Sequence, residues 1–244
     1  MEENNIENEL ENTNQNSKDG SQKQIAGAIL IVGILIAGAI LLKGTRAPTI
    51  NAPIADNIKN TTSQGRPVSS DDHIIGNMNA KIIIVEYSDL ECPYCKVFHN
   101  TMHQVVEKSN GNVAWVYRHY PIPQLHSKAS FEAEATECAW EQGGNNAFWK
   151  YTDRVFEITP SNNGLDATEL PKIAEYIGLN VASFNDCLAS GKYKFKIDSD
   201  IIDGAKAGVN GTPSSFVLVN GKVIDTIPGA LPFEAVMQML SQIK

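Results

Sequence analysis

The sequence predicts an α/β fold in residues 73–244, a length that suits one domain. Two apolar runs, the first strongly β-branched, enclose a segment with helical period, which indicates a β-α-β unit at the start. The middle of the region reads as helical throughout. Near the end, Asn220-Gly221 separates two short apolar runs, which is the strongest local signal for a β-hairpin.

The elements follow from local patterns. The run Lys81 to Tyr87 is rich in isoleucine and valine, which suit a buried strand. The strand predicted after the first helix closes at Tyr120-Pro121-Ile122-Pro123. We expect, in order, strands at 81–87 and 113–119 flanking a helix at about 92–109, helices at 128–141, 147–157, 169–177, 182–189 and 193–207, strands at 215–219 and 222–225, and a helix at 233–243.

The first 72 residues carry none of this pattern. Residues 1–24 contain six acids and two lysines, half of the chain's net charge of −8, so we expect a disordered acidic tail. Residues 43–72 contain three prolines among polar residues and are expected to form a flexible linker. The acidic balance of the chain argues against nucleic acid as a partner.

Between tail and linker, residues 25–42 are eighteen apolar or glycine residues without a charge. As a helix they would be about 27 Å long, which predicts a single membrane-spanning helix. A cleaved signal peptide is the alternative, but the acidic tail and the lack of a small-x-small cleavage pattern favour an uncleaved anchor. Basic residues flank the segment evenly, so orientation is inferred from the cysteines, which suit an oxidising compartment. We therefore expect a cytoplasmic N-terminus and an extracytoplasmic C-terminal domain.

The motif Cys92-Pro93-Tyr94-Cys95 lies where a strand is predicted to pass into a helix. At a helix N-terminus, free backbone N–H groups and the helix dipole stabilise a thiolate, which is the reactive form of cysteine. Cys95, one turn further on, is placed to resolve a mixed disulfide. Pro93 suits the first helical turn, where no N–H is needed. The motif indicates a redox-active dithiol.

Metal binding is the alternative interpretation of this motif. A zinc site needs two further ligands, and the other two cysteines stand alone rather than in a second C-x-x-C. Cys95, His99 and His103 recur every four residues and could share one helix face. Histidines on a helix flank are more often solvated or packed, so we expect no metal.

Three further motifs accompany the dithiol in order. With the segment Val85 to Lys96, the segments Glu137–Gln142, Ala147–Trp149 and Gly211–Phe216 resemble the membrane-anchored DsbA-like thiol–disulfide oxidoreductases of bacteria. The resemblance covers residues 73–244. It implies a thioredoxin fold with an inserted helical subdomain at about 126–190, which agrees with the predicted order of elements.

The resemblance also implies roles for residues outside the motif. Glu86, in the middle of an apolar strand, matches an acid near the buried cysteine, which suggests a proton relay for Cys95; a glutamate facing the strand's edge is the alternative. Thr212-Pro213 matches a cis-proline loop that packs against the active-site disulfide and leaves backbone free for an extended substrate peptide. An ordinary trans proline at the start of a strand is the other interpretation.

Cys138 and Cys187 lie near the two ends of the helical stretch, each among apolar residues. They are either two buried free thiols or a structural disulfide that joins the first and last helices of the insert. We favour the disulfide, which would close a loop of about fifty residues.

The expected function is an extracytoplasmic enzyme of the bacterial cell membrane that introduces disulfides into secreted or membrane polypeptides. The resemblance implies a quinone-linked membrane partner that reoxidises it. The chemistry needs no cofactor. A reductase or isomerase of the same fold is the alternative, but isomerases of this superfamily carry a dimerisation domain and the linker offers none, so we expect a monomer. Strongly oxidising relatives carry Pro-His between the cysteines, whereas Tyr94 supplies no positive charge.

Overall fold

The computed structural model describes residues 65–243. The predicted acidic tail, the predicted span at 25–42 and most of the predicted linker lie outside this range. Within the range, none of the helices has both the length and the apolar character that crossing a bilayer requires.

The described residues form five strands and six helices, and apart from the first short strand their order is as predicted. The helices predicted for the insert at about 126–190 are present. The elements are β1 (His73–Ile75), β2 (Ile82–Ser88), α1 (Pro93–Lys108), β3 (Val113–His119), α2 (Ala129–Ile158), α3 (Glu169–Tyr176), α4 (Val181–Ser190), α5 (Lys194–Ala207), β4 (Ser214–Val219), β5 (Lys222–Pro228) and α6 (Phe233–Ser241).

The strands form one mixed sheet in the order β1-β3-β2-β4-β5. The central strands β2 and β3 are parallel, and the other neighbours are antiparallel. Asn220 and Gly221 both have positive φ, at 51° and 73°, so the β4–β5 connection is the tight hairpin that the sequence predicts.

Side chains alternate between the two faces of β2. Ile82 and Ile84 point into the larger hydrophobic core, which contains α1, the insert and α6. Val85 and Tyr87 point to the opposite face, where a smaller core includes Ala207 of α5. Since Glu86 has the same parity as Ile84, it lies on the face that α1 covers.

Two helices of the insert are linked by a disulfide between Cys138 of α2 and Cys187 of α4. This is the pairing that the sequence analysis favours over two free thiols. The helix α2 contains non-helical backbone at Gly143 and Gly144, which separates the two helices predicted at 128–141 and 147–157.

Two features differ from the sequence prediction. The short edge strand β1 pairs with β3 and was not predicted, because three residues are too few to show a period. Residues 65–72, predicted to belong to the linker, pack against the domain. There the carboxylate of Asp72 is buried and forms an ion pair with the guanidinium of Arg118, with Nε and Oδ1 2.9 Å apart.

Candidate active site

Cys92 is the N-cap residue of α1, directly after the turn that leaves β2, and Pro93 occupies the first helical turn. The turn is closed by two hydrogen bonds. The N–H of Cys92 donates to the carbonyl oxygen of Asp89 at 3.1 Å, and the N–H of Glu91 donates to the Asp89 side chain at 2.9 Å. The sequence therefore places the first cysteine at a helix N-terminus, as predicted.

The two sulfurs differ in environment. Cys92 is 5% exposed and Cys95 is fully buried, and both are free thiols. A hydrogen bond from the Cys95 thiol, with further help from the backbone N–H groups of Cys95 and Tyr94, lowers the pKa of Cys92 to about 6 despite its partial burial. Burial raises the pKa of Cys95 well above the ordinary value, and the nearby Cys92 thiolate raises it further. Near neutral pH the two sulfurs therefore share one proton, and Cys95 is the sulfur that carries it.

The loop before β4 faces the first sulfur. The Thr212-Pro213 peptide bond is cis, as the resemblance implies. The thiol of Cys92 lies within hydrogen-bonding distance of the carbonyl oxygen of Thr212, at 3.4 Å. The structure thus brings together three of the residues that the sequence selects from distant parts of the chain.

Glu86 lies in the interior on the central strand β2, between Tyr117 of β3 and Ser215 of β4. It is 0% exposed, so the alternative of an edge-facing glutamate is wrong. Neither carboxylate oxygen makes a hydrogen bond of normal geometry to another described residue. Burial, with a smaller contribution from the charge of Cys92, raises the pKa of Glu86 to about 7. A carboxyl group with this pKa can both give and take a proton near neutral pH.

Asp89 connects the motif to the loop after β3. Its backbone N–H donates to the sulfur of Cys95 at 3.5 Å. Its carboxylate accepts a hydrogen bond of 2.9 Å from the N–H of Ile122 and lies 2.9 Å from Nδ1 of His126. The sequence analysis did not select Asp89, although its place in the turn before Cys92 is the local signal that could have done so.

A second acid, Glu91, connects the motif to the insert. Its carboxylate accepts hydrogen bonds from the N–H groups of Gly164 and Leu165, at 3.2 and 3.1 Å. Burial and the neighbouring Glu91 raise the pKa of Glu132 to about 9, so the Glu132 side chain is neutral at physiological pH. No sequence pattern predicts this pairing, because the insert folds back onto the motif from a distance.

A family model described as "Thioredoxin" matches residues 69–238, well over half of the chain. The chain belongs to this thioredoxin family.

Solved structures place the thioredoxin domain among the DsbA-like proteins. DsbA2 from Pseudomonas aeruginosa is 27% identical with a TM-score of 0.60, and the match covers 74% of this chain and 97% of that one. BdbD from Bacillus subtilis has a TM-score of 0.61 over 73% of this chain and 96% of its own, but at 20% identity it supports the fold alone. The described domain is thus similar in fold to DsbA-like proteins.

Sequence relatives include much longer proteins. The Na(+)/H(+) antiporter NhaA 3 of Salinispora tropica is 34% identical over 157 residues, and NhaA 1 of Salinispora arenicola is 33% identical over the same length. These matches cover 64% of this chain but only 23% of either antiporter. This chain therefore spans less than a quarter of the length of those relatives.

Among the residues that the structure describes, two clusters contain metal-ligating residue types away from the dithiol. In the first, Nε2 of His73 and Nε2 of His119 both contact Oε1 of the buried Glu137, at 2.7 and 3.0 Å. The ammonium of Lys196 lies 3.5 Å from the same oxygen. A bound cation there would compete with this ammonium, so the first cluster is better described as an internal polar network that joins β1, β3 and α2.

The second cluster consists of His99 and His103 of α1 and Asp153 of α2. The sequence analysis considered the two histidines together with Cys95. In the structure Cys95 points into the core next to Asp89, and the third member of the cluster is Asp153. Asp153 had no sequence signal, because it is fifty residues away from His103.

Proposed function

We propose that this protein is a disulfide-forming oxidase that transfers the Cys92–Cys95 disulfide to cysteines of extracytoplasmic polypeptides. One observation carries the proposal: the pKa of Cys92 is lowered to about 6 whereas that of Cys95 is raised. A stabilised thiolate favours the reduced form of the pair, and a pair whose reduced form is stable oxidises other thiols readily.

The reaction consists of two sulfur exchanges. A substrate thiolate attacks the sulfur of Cys92 in the oxidised pair, the S–S bond breaks, and Cys95 leaves with the bonding electrons. A second substrate thiolate then attacks the substrate sulfur of the mixed disulfide, and Cys92 leaves as a thiolate. Two electrons have passed from two substrate sulfurs to the cysteine pair, and the substrate is left with a disulfide.

Glu86 supplies the proton that the first exchange requires. The leaving Cys95 sulfur is buried, where a thiolate is costly, so it must take up a proton as it forms. The charge of Glu86 raises the pKa of Cys95, which supports an electrostatic interaction between the two groups. A neutral Glu86 can give its proton to Cys95 and regain one from solvent later.

The lowered pKa of Cys92 can be compared with those of other dithiol motifs. The pKa of the first cysteine in such motifs ranges from roughly 3.5 in a strong oxidant to roughly 7 in a reductant. The pKa of Cys92, about 6, lies nearer the reductant's end of this range, so the proposed oxidase is weaker than the strongest oxidants of this type. A leaving thiolate of low pKa also departs quickly, which favours release of an oxidised product.

The location of the enzyme is part of the proposal. The apolar segment at 25–42 supports anchoring in a bacterial cell membrane, and the structural disulfide between Cys138 and Cys187 supports a domain on the oxidising side. There its clients are secreted or membrane polypeptides that contain cysteine pairs. A quinone-linked membrane protein would accept the two electrons and regenerate the disulfide.

Equilibration of the purified protein with glutathione redox buffers tests the direction. We expect a reduction potential higher than about −270 mV, the value typical of thioredoxin, and so shifted toward the value of about −120 mV typical of a dedicated oxidant. A potential at or below the thioredoxin value would contradict the oxidase and support the reductase.

A trapping variant tests the order of attack. Cys95→Ser leaves Cys92 without its resolving partner, so mixed disulfides with substrate polypeptides should accumulate. The matched variant Cys92→Ser should trap little, because Cys95 is fully buried. Equal trapping by both variants would show that Cys92 is not the preferred attacking sulfur.

A further inference from the structure

We propose that His99, His103 and Asp153 form a binding site for one divalent transition-metal ion of the zinc class. The site is distinct from the dithiol and contains neither of its sulfurs. It joins α1, the helix that begins at Cys92, to α2 of the insert.

The three ligand atoms already converge. Nε2 of His99 and Nε2 of His103 lie 2.7 and 2.9 Å from the same oxygen of Asp153, and 3.2 Å from each other. A tetrahedral zinc ion with bonds of about 2.0–2.1 Å holds its ligand atoms about 3.3 Å apart. The separations therefore need to grow by only about 0.1 to 0.6 Å, which side-chain rotation can supply without movement of either helix.

The sequence spacing explains the convergence. His99 and His103 are one helical turn apart on α1 and so project from the same face. Asp153, from the second half of α2, lies opposite them. Two imidazole nitrogens and one carboxylate oxygen suit zinc, cobalt, nickel or copper, whereas calcium and magnesium prefer sites made entirely of oxygen.

The surroundings leave room for the ion and for a fourth ligand. The side chain of His99 is held at 3% exposure against the rings of Trp115 and Phe156, with centroids 5.1 and 4.5 Å away. The side chains of His103 and Asp153 are 37% and 44% exposed, so the open side faces solvent. A water molecule can therefore complete the coordination, as at zinc sites with three protein ligands.

Nearby charge does not exclude a cation. Lys96 lines the same groove, but its ammonium donates to the carbonyl oxygens of Glu157 and Thr159, at 3.3 and 2.6 Å. Glu157 also lines the groove, and its carboxylate accepts a hydrogen bond of 2.6 Å from the guanidinium of Arg154. The negative charge of Asp153 is thus the one directed at the two imidazoles.

One feature limits the affinity. Metal on Nε2 places the proton of His99 on Nδ1, which is buried and has no hydrogen-bond partner among the described residues. A ligating histidine usually donates that N–H to an acceptor, and loss of the partner typically weakens binding by about 10- to 100-fold. We therefore expect a site of moderate affinity that responds to free metal concentration.

Zinc titration followed by calorimetry tests the site. The full-length protein is used with Cys92 and Cys95 joined as a disulfide, so that neither thiol can bind zinc. We expect one zinc ion per chain, and at least about tenfold weaker binding in Asp153→Asn and His103→Gln. The matched control Glu157→Gln changes a carboxylate in the same groove and should bind zinc as the wild type does.

Copper(II) gives a second readout that reports position. Trp115 and Trp149 lie with ring centroids 5.4 and 6.2 Å from that of His103, so copper at the site should quench their fluorescence. Quenching should be lost in His103→Gln and kept in Glu157→Gln. Because His103 is partly exposed, this variant is expected to fold, which circular dichroism checks.

Three outcomes overturn the proposal. The first is an oxidised wild-type protein that binds no zinc, in which case the three side chains form only a hydrogen-bonded clamp between α1 and α2. The second is zinc binding or copper quenching that is unchanged in both ligand variants, which would locate the metal elsewhere. Calcium should give no signal, and a calcium signal as strong as that of zinc would also contradict the ligand set.

Discussion

The sulfur of Cys92 and the carbonyl oxygen of Thr212 lie 3.4 Å apart although 120 residues separate them in the chain. The contact places the first sulfur of the motif against the loop that enters β4. Since Cys95 is fully buried, an incoming substrate sulfur reaches the pair at Cys92, next to this loop. The reactivity of Cys92 is then set by its two neighbours, the Cys95 thiol and the backbone around the helix N-terminus.

The first prediction concerns the pH dependence of Cys92. Its alkylation by iodoacetamide in the reduced protein should rise around a midpoint near pH 6, since the thiolate is the attacking form. An ordinary cysteine would show a midpoint near about 8.5. In Cys95→Ala the midpoint should move upward, because the Cys95 thiol makes the largest contribution to the shift. A wild-type midpoint near that of a free cysteine would contradict the proposed activation.

The same shift predicts how the stability of the reduced protein depends on pH. The pKa of Cys92 is lower in the folded state than in the unfolded state, so the unfolded state binds more protons between the two values. The free energy of unfolding therefore gains from Cys92 as pH rises from about 6 toward 9, and this gain is lost as pH falls through 6. The oxidised protein, in which Cys92 does not titrate, is the control.

Glu86→Gln gives the second prediction. The pKa of Glu86 is raised to about 7 in the folded protein, so the folded state holds a proton that the unfolded state releases. Ionisation of Glu86 thus reduces the free energy of unfolding as pH rises from about 4.5 through 7, by up to about 3 kcal/mol. Glu86→Gln removes this loss, so the variant should be more stable than the wild type at pH 8 and nearly equal at pH 4.

The kinetic consequence separates a proton-relay role from a purely structural one. If Glu86 protonates Cys95, Glu86→Gln should slow reduction of the Cys92–Cys95 disulfide and flatten its dependence on pH near 7. A variant that is stabilised at high pH but keeps the wild-type rate and pH profile would show that Glu86 is buried without acting as a relay.

Local patterns predicted the dithiol and the helix that carries it well because these parts of the site are local. The β-branched strand, the turn and the helix that begins at Cys92 occupy consecutive residues, and Pro93 marks the helix start. The position of Glu86 in the middle of an apolar strand was sufficient to select it. These features depend on nearest neighbours in the chain, which the sequence displays directly.

Contacts across the chain were harder to predict. Asp153, which meets His99 and His103, comes from another helix and carries no distinctive pattern. Glu132, which is neutral through burial beside Glu91, reads as an ordinary surface residue of an amphipathic helix. In each case the chemistry arises when the insert packs on α1 and on the motif, and no local pattern encodes that packing.

The third prediction concerns the Cys138–Cys187 disulfide, which spans 49 residues of the insert. A loop of this length gives a chain-entropy stabilisation of about 4 kcal/mol. The double variant Cys138→Ala/Cys187→Ala should lower the free energy of unfolding in urea by an amount of this order. Its Cys92 alkylation profile should match that of the wild type, since the disulfide joins α2 to α4 and neither of these helices carries the motif. A change in that profile would indicate that the insert influences the dithiol.

Asp72→Asn tests whether residues before 73 belong to the folded domain. The Asp72 carboxylate accepts two hydrogen bonds from Arg118, whose guanidinium is 1% exposed. Without the charge of Asp72, the guanidinium of Arg118 keeps an ion pair with the carboxylate of Asp203, with nitrogen and oxygen 3.0 Å apart. We expect a loss of about 3 kcal/mol in the free energy of unfolding. The exposed neighbour serves as control: Asp71→Asn should change stability little, and equal effects would contradict the ion pair's role.

Tyr94→His tests what sets the strength of the oxidant. Tyr94 is 67% exposed next to Cys92 and supplies no charge. A histidine there can carry a positive charge close to the thiolate, which stabilises the reduced form and lowers the pKa of Cys92 further. Each unit of pKa corresponds to roughly 30 mV in the potential of a two-electron couple, so the variant should become more oxidising by some tens of mV.

The matched variant Tyr94→Phe removes only the hydroxyl and should leave the potential close to that of the wild type. The two measurements together decide between two origins of redox strength. If Tyr94→His shifts both the Cys92 midpoint and the potential, charge between the cysteines controls the strength of this oxidant. If it shifts neither, the Cys95 thiol and the backbone N–H groups of α1 already determine how stable the Cys92 thiolate is.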